Sequence, residues 1–119
     1  MKEVNQGEIY WIDGRDIKSG ELGIHLHPYV VVQDDLLNHS RLDTVVVCAL
    51  TTNLKQANAY GNVRLDASEA NLEKDSVVVV SKLSSVSKEQ LGEKIGRLSS
   101  ERIEEIFSGM RLLNQSFRR

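Results

Sequence analysis

The chain has 119 residues, 40% of them hydrophobic, with 15 basic against 17 acidic side chains and a net charge of −2 at neutral pH. That length suits one domain spanning residues 1–119 around a single core. The near balance of charge excludes a global attraction to nucleic acid or to an anionic membrane, so any nucleic-acid site must be a local patch.

In chain order, the start MKEVNQGEIYW lacks the basic-then-apolar layout of a secretory signal, and no apolar run approaches the roughly 20 residues that cross a bilayer. The protein is therefore expected to be cytoplasmic, with no membrane partner. GEIYWID (Gly7 to Asp13) reads as a strand with Ile9 and Trp11 on one face. Gly14 to Gly23 carries three glycines among mixed charges and reads as a loop. Tyr29 to Gln33 reads as a strand that Pro28 opens, because a missing N–H costs least at a strand's first residue. DDLLNHSR is a turn or a short helical excursion. TVVVCAL (Thr44 to Leu50) is apolar on both faces and predicts a buried central strand. Its lone cysteine, Cys48, has no internal partner, which excludes an intrachain disulfide and a cysteine-based zinc cluster; it reads as a small buried hydrophobe.

LKQANAYGN is a polar loop, NVRL (Asn62 to Leu65) a short strand, ASEANLEKD a turn-prone stretch, and SVVVV (Ser76 to Val80) a second buried strand running on toward Lys82. Ser87 and Gln90 have capping-box spacing, with Val86 and Leu91 placed as a hydrophobic staple, so a short helix stopped by Gly92 is expected, then a brief strand over Ile95 to Leu98. Ser99 caps the last element. Ile103, Ile106, Phe107, Met110 and Leu113 recur at helical spacing and predict an amphipathic helix from 100 to about 115. The sum is a mainly β (α+β) fold: a small barrel or strongly bent sheet with a helix laid on it.

No phosphate-cradling glycine loop, H-E-x-x-H or G-x-S-x-G occurs, which leaves nucleotide-binding, zinc-protease and α/β-hydrolase readings without support. His25 and His27, two apart on an extended segment, point the same way. His39 lies in a different turn and Asp34 and Asp35 stand at the far end of the strand, so a metal site lacks a third ligand. What remains is His27 at the mouth of one buried strand and the Thr51 hydroxyl closing the next, both at strand ends where rigid scaffolds present chemistry.

GEIYWID, HPYVVVQDD, VVVCALTTN and above all DSVVVVSKLSSVSKEQLGEKIGRLSSERIEEI resemble, in order and spacing from Gly7 to about Leu113, the PemK/MazF toxins of type II toxin-antitoxin systems. The resemblance implies an SH3-like small barrel with a C-terminal helix, a homodimer, cleavage of single-stranded RNA (mRNA) at short sequences without a metal or other cofactor, and a cognate antitoxin whose tail wraps the dimer. Where the family places an arginine before the strand proline, this chain has His27. Where the family closes the third strand with threonine or serine, it has Thr51. The family's Gln-x-Arg-Thr is replaced by Lys82-Leu83-Ser84-Ser85.

RNA cleavage of this kind needs a base for the 2′-hydroxyl proton, donors for the phosphorane charge and an acid for the leaving 5′-oxygen. Arginine clamps charge but shuttles protons poorly, whereas histidine does the reverse. The expected catalytic residues are His27 as acid/base and Thr51 as the hydroxyl that positions the phosphate. The expected RNA-contacting residues are His25, Asn53, Lys55, Lys82, Ser84 and Ser85, with Lys82 supplying cationic help and His25 a second candidate proton carrier. The alternatives are a catalytically weak MazF-like RNA- or antitoxin-binding protein and a CcdB-like gyrase-targeting toxin.

Overall fold

A computed structural model describes residues 3–14 and 26–115. Within them lie β1 (Glu8–Asp13), β2 (Leu26–Val31), α1 (Asp35–Asn38), β3 (Thr44–Thr51), β4 (Val63–Leu65), β5 (Ser76–Ser87), β6 (Leu91–Arg97) and α2 (Ser100–Gln115). The strands form one antiparallel sheet in the order β4-β5-β3-β2-β1-β6.

The continuous apolar runs have a geometric cause. Side chains alternate along a strand, and here both faces are covered. Ile9, Val30, Cys48, Leu50, Val78 and Val80 meet Ile103 and Ile106 of α2 on one face. Tyr10, Ile12, Tyr29, Val31, Val45 and Val47 form a second cluster with Val86 and Leu91. Val86 and Leu91 stand on that face as the paired neighbours of Val45 and Ile12, so the face is covered by its own curvature as the sheet curls into a small barrel. Each fully buried aliphatic side chain in these clusters contributes about 1.5–3 kcal/mol, which makes the helix on one side and the strand curl on the other comparable in importance.

The fold-over is achieved by a break in register. Thr44↔Ser87 to Cys48↔Leu83 follow one register and Leu50↔Val78 and Thr51↔Val77 another. Val79 to Lys82 therefore bulge opposite Ala49, and a bulge of this kind bends its strand. The Cys48 thiol donates to the Val79 carbonyl at 3.0 Å within this interruption. Burial pushes the thiol pKa up to about 12, so Cys48 is a core group in its neutral form.

Several boundaries differ from the sequence reading. β2 starts at Leu26 and ends at Val31, and Pro28 is its third residue. Pro28 faces Trp11 of β1, while pairing with β3 starts only at Tyr29, so the proline lies where the strand has a partner on one side. Trp11 does not share the burial of Ile9; it is exposed, and Tyr10 and Ile12 are buried instead. The capping box forms, with the Ser87 N–H donating to Gln90 Oε1 at 2.6 Å, but it caps a single 3₁₀ turn, Lys88–Gln90. Strand β6 follows at once and includes Gly92. A side chain at Gly92 would put its Cβ 2.6 Å from the Trp11 carbonyl; close strand approach, not helix termination, explains that glycine. At α2, the Arg102 N–H donates to Ser99 Oγ at 3.2 Å, as a capping serine should.

Candidate functional site

The β2–β3 pairing ends at Tyr29↔Ala49; His27 stands two residues before Tyr29 and Thr51 two after Ala49. Alternation puts both on the face of Tyr29 and Ala49. His27 and Thr51 are each half-buried, where the covered part of the sheet meets solvent. Thr51 Oγ1 accepts from the Asn53 N–H at 3.2 Å. That bond occupies an acceptor lobe and leaves the hydroxyl hydrogen to donate elsewhere, which suits a group that holds a phosphate oxygen.

Asn53 also caps the 3₁₀ turn Leu54–Asn58, its Oδ1 accepting from the Lys55 N–H at 3.2 Å. The polar stretch after β3 is thus an ordered turn presenting Lys55 to solvent. Lys82 is exposed in the β5 bulge opposite Ala49, two residues along β3 from Thr51. Ser84 faces Val47, roughly 13 Å along β3 from Thr51 at about 3.3 Å per residue. Ser85 faces Val46 and so projects to the opposite face from Ser84. Geometry therefore gathers His27, Thr51, Asn53, Lys55 and Lys82 at one end of the barrel and leaves Ser84 and Ser85 farther down the wall. His25 and, apart from Gly14, the loop read over Gly14 to Gly23 lie outside the described residues.

His39 is remote from this end: its Nε2 meets Asn5 Oδ1 at 2.9 Å. Among the described residues, no group of three or more His, Cys, Asp and Glu could hold a metal ion. No helix among them is long and apolar enough to cross a membrane.

Two polar features escaped the sequence reading. Glu8, only 3% exposed, accepts from the Asn5 N–H at 2.7 Å, the Tyr10 hydroxyl at 2.8 Å and the Lys94 ammonium at 3.1 Å. Burial pushes its carboxyl pKa up, but these donors outweigh burial and hold it below the usual range. Burial and the neighbouring carboxylate raise the Tyr10 phenol in turn. The second feature is Asn62, half-buried beside β4. A glycine-asparagine pair signals a turn in any sequence, and nothing local indicates that the amide reaches other elements.

Comparison with known proteins agrees with this architecture. Residues 5–113 match the model of the PemK-like, MazF-like toxins of type II toxin-antitoxin systems. The chain is 34% identical over 108 residues to Endoribonuclease MazF6 of Mycobacterium tuberculosis strain H37Rv, covering 91% of this chain and 94% of the relative. It is 27% identical over 109 residues to Endoribonuclease EndoA of Bacillus subtilis strain 168, covering 92% of each. Among solved structures, a mycobacterial endoribonuclease in complex with its cognate antitoxin superposes with a TM-score of 0.74 at 18% identity, covering 94% of this chain and 95% of that one. With a family match across nearly its whole length and the bent antiparallel sheet carrying one long C-terminal helix, this chain belongs to the PemK-like, MazF-like toxins of type II toxin-antitoxin systems.

Proposed function

We propose that the protein is a sequence-specific endoribonuclease toxin, an mRNA interferase, that cleaves single-stranded RNA without a metal ion and is neutralised by a cognate antitoxin. It acts in the cytoplasm as a homodimer of one-domain subunits. What supports the reading is the family match over residues 5–113, together with His27 on β2 and Thr51 at the end of β3, which strand alternation puts on one face of the sheet. The endoribonuclease names of its relatives support it.

In this reading His27 exchanges protons with the 2′-hydroxyl and the leaving 5′-oxygen. The Thr51 hydroxyl, held on its acceptor side by Asn53, donates to the phosphate as negative charge builds on its oxygens. Lys82 and Lys55 add positive charge along the RNA backbone. The 2′-oxygen forms its bond to phosphorus as the 5′-oxygen departs, so the proton taken at one oxygen is matched by the proton delivered at the other.

The test is induction of the gene in a bacterium, followed by assay of the purified protein. Growth arrest with discrete RNA fragments and cleavage that persists in chelator are the expected results. Arrest with intact RNA and broken DNA would assign a gyrase-directed toxin, absence of arrest an inert binder. Undiminished cleavage by a folded His27→Ala variant would remove His27 from the chemistry.

A further inference from the structure

The geometry points to Asn62 as a positioning residue: a two-ended amide strap that holds the Leu54–Asn58 turn in register with the β5 bulge. This inference rests on the endoribonuclease reading above for its kinetic consequence, though not for its structural one.

The end of β4 supplies the need. Val80 is 1% exposed and its N–H points away from β3, because the Val79 carbonyl on the same trans peptide faces Cys48; β4 pairs with β5 only as far as Val63↔Val78, so that N–H lies beyond the ladder and is met by a side chain instead. Asn62 Oδ1 accepts it at 3.1 Å. The other end of the same amide is also committed, because Asn62 Nδ2 donates to the Gln56 carbonyl at 2.9 Å. Gln56 belongs to the turn that presents Lys55 and is capped by Asn53, whose N–H orients the Thr51 hydroxyl. Val80 lies two residues before Lys82. One side chain thus ties the two segments that carry the candidate RNA contacts.

The base of the strap is itself fixed. The Asn62 N–H donates to the Ala59 carbonyl at 3.2 Å. Its neighbour Gly61 has φ +86° and abuts α2, where a Cβ on Gly109 would lie 1.9 Å from the Gly61 carbonyl oxygen. Only paired glycines allow that approach. Asn62 therefore transmits the rigidity of the helix-backed core to a turn whose own bonds are local: Gln56 N–H to Asn53 carbonyl and Ala59 N–H to Gln56 carbonyl, each at 3.1 Å, and Lys55 N–H to Asn53 Oδ1 at 3.2 Å. A freed turn would still carry Lys55, but at variable distance from Lys82, and substrate holding would weaken more than the chemical step.

The experiment uses the full chain and a single-stranded RNA. Asn62→Asp keeps an oxygen for Val80 and loses the donor to Gln56, whereas Asn62→Ala loses both. Both variants are expected to raise KM about five- to ten-fold with kcat within about two-fold. The Tm should fall clearly for Asn62→Ala, which orphans the buried N–H, and much less for Asn62→Asp. The KM rise in Asn62→Asp should persist at about 0.3 M salt, where repulsion between the new carboxylate and RNA is screened. Amide exchange over residues 54–59 should accelerate about ten-fold in both variants. A wild-type KM in Asn62→Asp, or unchanged exchange in both variants, overturns the strap. If the wild-type protein cuts no RNA, the activity reading fails, while exchange still decides whether Asn62 restrains the turn.

Discussion

The two ends of β3 use polar side chains in opposite ways. At the Thr44 end, Gln33 and Asn38 are buried and bond to each other, Gln33 Nε2 to Asn38 Oδ1 at 2.9 Å and Asn38 Nδ2 to the Gln33 carbonyl at 2.7 Å. Asp35 Oδ1 accepts from Asn38 Nδ2 at 3.0 Å and from the Gln6 N–H at 2.6 Å, and Lys88 donates to the Asn38 carbonyl at 2.8 Å. This corner spends its polarity on pinning the N-terminal segment and α1 to the sheet. At the Thr51 end, Asn53, Lys55 and Lys82 are exposed, and the bonds made there orient a hydroxyl and brace a turn. Residue type alone therefore does not separate the two polar clusters; burial does, since Gln33 and Asn38 are buried while Asn53 and Lys55 are exposed.

That contrast can be broken by substitution. The largest effect is expected at the working end: His27→Ala should lower RNA cleavage by about 10²- to 10⁴-fold, the usual contribution of an acid/base group, with near-native Tm and circular dichroism. Loss of folding in step with loss of cleavage would make His27 a structural residue like Asn38. Next, Asn38→Ala should cost about 2–4 kcal/mol in denaturant unfolding, since it strands a buried amide and carbonyl. The cleavage rate per folded molecule should stay within about two-fold; a ten-fold loss would erase the distinction between the two ends.

Glu8 belongs with the structural class although it is charged. Glu8→Gln should destabilise by about 2 kcal/mol at neutral pH, because the amide cannot accept from all three donors. The sign of the pH dependence follows from the lowered carboxyl pKa. The contribution of Glu8 is complete above the unfolded carboxylate value near 4.3 and is lost as pH falls through the lower folded value. The stability gap between wild type and variant should therefore close in acid; a gap that widens below pH 4 would contradict the assignment. The smallest effect concerns Cys48. Its buried thiol, with a pKa raised to about 12, should resist alkylation at pH 8 in folded protein and react on unfolding. Rapid labelling of the native protein would show that the core around the bulge opens readily.

Much of the architecture was legible in the residues. TVVVCAL and SVVVV carry no polar alternation because both of their faces are covered, and the Ile103, Ile106, Phe107, Met110 pattern marks the helix that covers one of them. The other cluster was not legible, since Val86 and Leu91 join it through pairing with the distant Val45 and Ile12. At the site, the motif positions drew attention to His27 and Thr51. The separation of Ser84 and Ser85 from them is set by the β3–β5 register, and no local pattern encodes it. Gly92 misled for a related reason: a glycine after a capping box signals a helix stop, whereas here the constraint is the Trp11 carbonyl across the sheet.

The residues alone were enough for the buried strands, the C-terminal helix and the family, because hydrophobic period and motif order are local properties of the chain, but not for the stretch after Ser87, where a helix was expected and a 3₁₀ turn and strand stand. Only the tertiary structure decided which strand ends meet, where β5 bends and what Asn62 holds. Register and long-range hydrogen bonds depend on which distant segments are brought together, and the buried N–H of Val80 meets Asn62 only because β4 ends where it does against β5.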